Sequence, residues 1–198
     1  MPGNIYGENE FRDDLFKVFN NLDLTKVVNV DASGISASTT KTLTLPNVDG
    51  TIVTTINVDT TAVGNVGGGE DDLITYSLPA NALNVNGKGV KVKVWGTTAA
   101  NANNKTIKLF FGATELRTSG ALALNNKDWI LESTIIRTGA TAQEAIGHQL
   151  IDATAIGVTQ SNPAEDTTGA IVVKVTGESS ASASNDVIAE GMVIENIN

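Results

Sequence analysis

The chain has 198 residues, no cysteine, one histidine and a formal net charge of −9. The missing cysteines exclude disulfides, Cys-ligated zinc and a thiol nucleophile, and the acidic balance argues against a nucleic-acid partner, which needs clustered Lys and Arg. Hydrophobic residues at 41% fit a folded chain, yet no apolar run approaches the roughly 20 residues of a membrane-spanning helix, so no membrane insertion is expected.

The N-terminal MPGNIYGENE has neither the basic nor the apolar region of a secretory signal. Phe11, Leu15, Val18 or Phe19, and Leu22 recur at helical spacing. Against a helix stands the turn chemistry of Asn20-Asn21-Leu22-Asp23, followed by the β-branched run from Thr25 to Val30. A hairpin is therefore expected, with one strand over residues 15–19 and the next over 25–30. Leu43 and Leu45 alternate with Thr42 and Thr44 in a further strand that Pro46 closes, and Asp49-Gly50 turns the chain again.

From residue 51 onward the chain reads as a succession of strands. They cover residues 52–63, 73–78, 90–95, 106–111, 115–116, 129–137, 171–176 and 187–194, with turn clusters at 124–128, 161–163 and 179–185. Val90, Val92 and Val94 share one face, with Lys91, Lys93 and Trp95 opposite; Ile107, Leu109 and Phe111 share another, with Thr106, Lys108 and Phe110 opposite. These two strands are expected to pair as a hairpin across the Asn- and Ala-rich turn. Only residues 141–151, which contain His148, have spacing suited to a short helical turn. Many strands with regular breaks predict an all-β fold: an antiparallel sandwich, jelly-roll-like, preceded by a small β-hairpin segment.

Few residues offer chemistry. Gly64 to Gly69 lacks the Gly-Lys-Ser/Thr of a phosphate loop and reads as a flexible crossing between strands. Glu70-Asp71-Asp72 and Glu165-Asp166 are the acidic clusters, expected as solvated turn acids. Glycoside hydrolysis by paired carboxylates would also need aromatic sugar platforms, and aromatic residues are 5%. His148 is alone, so no two-histidine metal site or Cys–His pair forms within one chain. Lys88, Lys91 and Lys93, with Lys105 and Lys108 across the expected hairpin, are read as a solvated strand face that discourages edge pairing. Asn104-Lys105-Thr106 matches a glycosylation sequon, expected to be unused. Trp95 and Trp129 are expected in the core. No catalytic residue, cofactor or metal site is expected, and no enzymatic activity.

The string FKVFNNLDLTKVVNVDASGISASTTKTLTLPNVDGTIV resembles a segment of tailed-bacteriophage fibre and appendage proteins. The resemblance is carried by Thr25-Lys26, Ser33-Gly34-Ile35-Ser36, residues 39–46 and Asp49-Gly50-Thr51-Ile52, with Lys41 where such segments commonly carry Arg. Residues 73–191 also resemble a phage virion domain, through LPANALNVNGKGVKVKVWGTTAANANNKTIKLFFG, WILESTIIRTG and DVIAEGMV. The resemblance implies a homotrimeric, β-rich virion structural protein, a head or tail fibre or decoration, made in the host cytoplasm and resident in the virion. Residues 1–50 would serve attachment and oligomerisation, with Phe16, Val18, Val28, Leu43 and Leu45 as contacts to other subunits or to capsid or tail proteins. Residues 51–198 would form the jelly-roll-like sandwich, with a host surface glycan as a further partner. Two other functions fit the same sequence: a capsid cement protein across capsomer junctions, and a non-catalytic carbohydrate-binding module.

Overall fold

Strand side chains alternate between faces, so parity along each strand decides which residues meet the core. The computed structural model describes residues 17–20, 23–29, 55–152 and 154–197, and all their helical or extended structure is β-strand. The chain divides into two compact units, Met1–Gly50 and Thr51–Asn198. No helix among the described residues is long and apolar enough to cross a membrane.

In the first unit, β1 (Lys17–Asn20) and β2 (Asp23–Asn29) pair antiparallel, placing Val18 opposite Val28 and Phe19 opposite Val27. This is the hairpin that the turn residues predict, not the helix that the apolar spacing alone would allow. Phe16, Leu43, Leu45 and the strand expected before Pro46 lie outside the described residues.

The second unit contains β3 (Thr55–Asp59), β4 (Val63–Gly64), β5 (Gly69–Leu78), β6 (Gly89–Thr98), β7 (Asn104–Phe111), β8 (Thr114–Thr118), β9 (Leu122–Ala123), β10 (Asp128–Gly139), β11 (Ala142–Ile151), β12 (Thr154–Ser161), β13 (Ile171–Ser179) and β14 (Val187–Asn196). A seven-stranded sheet runs β12-β11-β10-β6-β14-β3, with β4 also on β14. A five-stranded sheet runs β5-β13-β7-β8, with β9 also on β7. All pairings are antiparallel, and the two sheets form the expected sandwich. Its core joins Val90, Val92, Val94, Leu131, Ile135, Met192 and Ile194 of the larger sheet to Ile107, Leu109, Phe111, Val173 and Val175 of the smaller. Each is fully buried, worth roughly 1.5–3 kcal/mol apiece relative to exposure.

The faces assigned to β6 and β7 hold, but their pairing does not. β6 bonds to β10 and β14, whereas β7 bonds to β13, β8 and β9 in the opposite sheet. Two consecutive strands with apolar inner faces can satisfy each other by facing across the core as well as by lying side by side. The lysine patch consequently dissolves. Lys91 and Lys93 lie on the larger sheet, Lys108 on the smaller, and Lys105 is fully buried.

Three further expectations are corrected. Residues 141–151 form no helical turn: Ala142–Ile151 is a full strand between β10 and β12. The acids Glu70, Asp71 and Asp72 lie on strand β5 and not in a turn, and although Glu70 and Asp72 are exposed as expected, all three are engaged. Glu70 accepts from Lys108 at 2.6 Å and from Thr176 at 2.7 Å, Asp71 accepts from the Val66 amide at 2.8 Å, and Asp72 pairs with Lys174 at 2.7 Å. The crossing at 64–69 is anchored, because the buried Asn65 amide donates to Gly67 O and Ala183 O and accepts from Val187 N.

The buried Lys105 ammonium is wrapped by oxygens: Leu124 O at 2.7 Å, Asn101 Oδ1 at 2.8 Å, Asn103 O at 3.1 Å and Asn101 O at 3.2 Å. The same asparagines donate to Asp186, which also accepts from Ser179. Burial pushes the Lys105 ammonium below its ordinary range, and the Asp186 charge offsets part of that. Burial would raise the Asp186 carboxyl, but hydrogen bonds from Ser179, Asn103 and Asn101 and the Lys105 charge hold it low. This hub pins the β6–β7 connection to the start of β14.

Candidate functional site

The outer faces of the two sheets differ in character. On the smaller sheet, charges interlock: Lys108 meets Glu70, and Lys174 meets Asp72 while lying 5.5 Å from the Phe110 ring centroid. The larger sheet leaves three large apolar side chains in the open, Val58 62%, Ile146 53% and Val158 66% exposed, against Val172 at 44% on the smaller. Val58 and Val158 stand on opposite edge strands with Lys93, Glu132 and His148 between them, so they are separate apolar points and not one patch.

Register organises that face into rows. One row runs Val58, Val193, Lys93, Glu132, His148, Val158. Within it Glu132 collects Lys93 at 3.1 Å, His148 Nε2 at 3.6 Å and, from the neighbouring row, Lys91 at 3.7 Å. Burial would raise the Glu132 carboxyl, but the Lys93 hydrogen bond and the Lys91, Lys93 and His148 charges hold it below the usual range. His148 thus sits on the outer face of a strand, beside a carboxylate.

The adjacent row runs Gly191, Trp95, Ile130, Leu150, Ala155. Here an open groove of about 580 Å³ is lined by Trp95, Thr97, Ile130 and Leu150, with Asp128, Asp152 and Glu190 among its carboxylates. Its shape comes from β14. The register shifts between Ala189 and Gly191, so Gly191, not Glu190, opposes Trp95. A bulge of this kind re-aims side chains. Glu190 becomes exposed and accepts from Thr97 Oγ1 at 3.1 Å, while a Cβ at Gly191 would overlap Cζ2, Cε2 and Cη2 of the Trp95 indole. Asp152 is held by Lys127 at 2.6 Å; that hydrogen bond leads the influences keeping its carboxyl below the ordinary range.

Trp129 is a core residue as expected, 3% exposed, with Nε1 donating to Thr97 O at 3.1 Å. Trp95 is not: it stands partly exposed on the outer face. Parity already carried this signal, since Trp95 follows Lys91 and Lys93 at steps of two. Glu165 and Asp166 do lie in a loop, where Glu165 accepts from the Ala113 amide at 2.8 Å and Asp166 from Thr168. Among the described residues no three His, Asp or Glu side chains converge as metal ligands. Of the expected contact residues, Val18 and Val28 occupy opposed positions in the hairpin, and Phe16, Leu43 and Leu45 lie outside the described residues.

No protein-family model and no curated protein sequence matches this chain. Among solved structures it is similar to the CBM2 module of the evolved Dit of Lactobacillus casei BL23 phage J-1, at 9% identity over 61% of this chain and 67% of that one, with a TM-score of 0.37. It is also similar to a chain of infectious bursal disease virus, Gx strain, at 16% identity over 86% of this chain, with a TM-score of 0.33. Derived T=1 particles of that virus give 15% identity over 87% of this chain and a TM-score of 0.32. This chain spans about two fifths of the length of those bursal virus chains, 39% and 38% respectively.

Proposed function

We propose that this chain is a structural protein of a bacteriophage virion: a trimeric appendage whose N-terminal unit docks on the particle and whose sandwich faces outward to the host. The observation that carries the reading is the division into a short unit, Met1–Gly50, and a sandwich with its own core. The short unit holds the strands of the fibre-like segment, and fifty residues bury too little apolar surface to match a full domain. Contact with sister chains or with capsid or tail proteins would supply the missing cover. The sandwich needs no such help. Its mixed outer face, with exposed Val58, Ile146 and Val158 among charged groups, suits repeated weak contacts, which an oligomer multiplies into avidity. Function on this reading is geometric and non-catalytic.

Gold-labelled antibody against the sandwich, applied to purified particles, tests residence; particles carrying no label would end the virion reading. Light scattering on the purified chain tests the trimer. Removing residues 1–50, or combining Val18→Asp with Val28→Asp, is expected to abolish incorporation while the remaining sandwich keeps its near-UV circular dichroism. Normal incorporation of either variant would move the attachment surface onto the sandwich and overturn the division of roles. Particles that assemble but lose head stability without the protein would favour the cement role.

A further inference from the structure

We infer that the Trp95 groove on the larger sheet is a binding subsite for an uncharged pyranose sugar. The inference deepens the host-contact half of the proposed function and rests on it for the occupant's origin; the groove's chemistry stands on the geometry alone.

Four features converge. The groove, at about 580 Å³, falls within the size range of ligand clefts, which pair apolar walls with a few placed polar groups. Trp95 is partly exposed and is seated over Gly191, where a Cβ would overlap the indole. A held indole is a flat, polarisable surface for the C–H face of a sugar ring, and Ile130 and Leu150 extend that wall. The polar rim is dominated by acceptors: Asp128, Asp152 and Glu190 offer carboxylate oxygens beside the Thr97 hydroxyl, which donates to Glu190, and Glu190 is brought there by the β14 bulge. Carboxylates accept hydrogen bonds from vicinal hydroxyls, charge-assisted and stronger than neutral ones.

Charge selects among ligands of this shape. Three carboxylates against one nearby ammonium, Lys127 on Asp152, repel uronic, sialic and phosphorylated sugars, and the chain as a whole carries −9. A quaternary ammonium would need a cage of several aromatic faces, and the second indole of the groove, Trp129, is 3% exposed and belongs to the core. One aromatic plate beside hydroxyl acceptors fits an uncharged hexose or N-acetylhexosamine. A single such subsite of small area binds weakly.

Saturation-transfer NMR on the full chain tests this, using an array of uncharged gluco-, galacto-, manno-, rhamno- and N-acetylhexosaminyl oligosaccharides, with tetragalacturonate and choline as charged comparators. The expected result is transfer to at least one uncharged sugar, strongest at ring C–H protons, with none to either comparator. Trp95→Ala should weaken that binding by about tenfold or more, and Glu190→Gln, which leaves the indole seated, by a smaller factor. Melting curves of both variants establish that they fold. Silence across the uncharged array, equal binding of a charged comparator, or undiminished binding by folded Trp95→Ala would each overturn the inference. A sugar-binding chain that particle labelling does not find on virions would leave the groove standing and remove the virion reading instead.

Discussion

Replacing Lys105 with methionine removes the one fully buried ammonium of the sandwich while keeping the length of the stem. Its Nζ lies within 3.2 Å of four oxygens, the nearest being Leu124 O at 2.7 Å. An ammonium has three protons, so at most three of these bonds are well formed at once. Methionine offers no donor and leaves buried carbonyls unpaired, at roughly 1–3 kcal/mol for each unsatisfied group, partly offset because the ammonium no longer has to be desolvated. A net loss of about 3 kcal/mol follows, which for a unit of this size lowers Tm by about 6–12 °C. The acid response sharpens the test. Asp186 has its folded pKa held below the unfolded value, so its contribution is present above the ordinary carboxylate range and lost as pH falls through the folded value. Without the Lys105 charge the folded value rises toward the unfolded one, so the contribution is smaller and its loss is complete at a higher pH. Thermal denaturation of wild type, Lys105→Met, Asp186→Asn and the double variant across a pH series measures both effects, and the double variant should show strong non-additivity. A Lys105→Met protein melting within about 1 °C of wild type, with an unmoved acid limb, would refute the hub as a source of stability.

Glu70→Gln should lower Tm by about 2–4 °C, about 1 kcal/mol or less after solvent screening. Burial works against this carboxylate, but the Lys108 and Thr176 hydrogen bonds and the Lys108 and Lys174 charges keep its pKa lowered, so the variant's deficit should vanish as pH falls through the folded value of Glu70. Gln149 is fully buried, with neither amide atom partnered among the described residues; Gln149→Leu should therefore raise Tm by a few degrees, and a fall would show that the amide is satisfied. Gly191→Ala should displace the Trp95 indole, costing about 1–3 kcal/mol and changing the tryptophan fluorescence; an unchanged spectrum would show that β14 yields instead. A chelator should leave the melting curve unmoved, and a drop of several degrees would reveal a cation held by the acidic residues.

Where apolar residues alternate with polar ones, sequence and structure agree. Val90, Val92 and Val94, and Ile107, Leu109 and Phe111, could be sorted into faces because each strand has one dry side. β11 defeats the same reasoning. Its inner positions are Gln143, Ala145, Gly147, Gln149 and Ile151, while Ile146 and Leu150 point outward, so the hydrophobic signal is nearly inverted and mimics helical spacing. β12, unread in the sequence, has Thr154, Ala155 and Val158 exposed and a kink at Gly157, whose φ is +143°. Pairing partners were hidden for a different reason. β14 binds β6 across about a hundred residues of chain, and local pattern carries no record of such a partnership. The groove lay half in view: parity exposed Trp95, but the bulge at Glu190 depends on that long-range register.

The register of β3 on β14 also fixes where a tether would pull. Thr55 pairs with Glu195 at one end of the larger sheet, whereas the groove row begins at Gly191 and the bulge at Glu190. Five residues of extended chain separate Glu195 from Glu190, about 17 Å along the strand. Whatever precedes residue 55 and whatever follows residue 195 therefore leave the sandwich from the same rim, and the Trp95 groove lies toward the opposite one. New termini for a circular permutant belong in a connection away from that rim, because residues 55 and 195 are already neighbours and a short linker would join them.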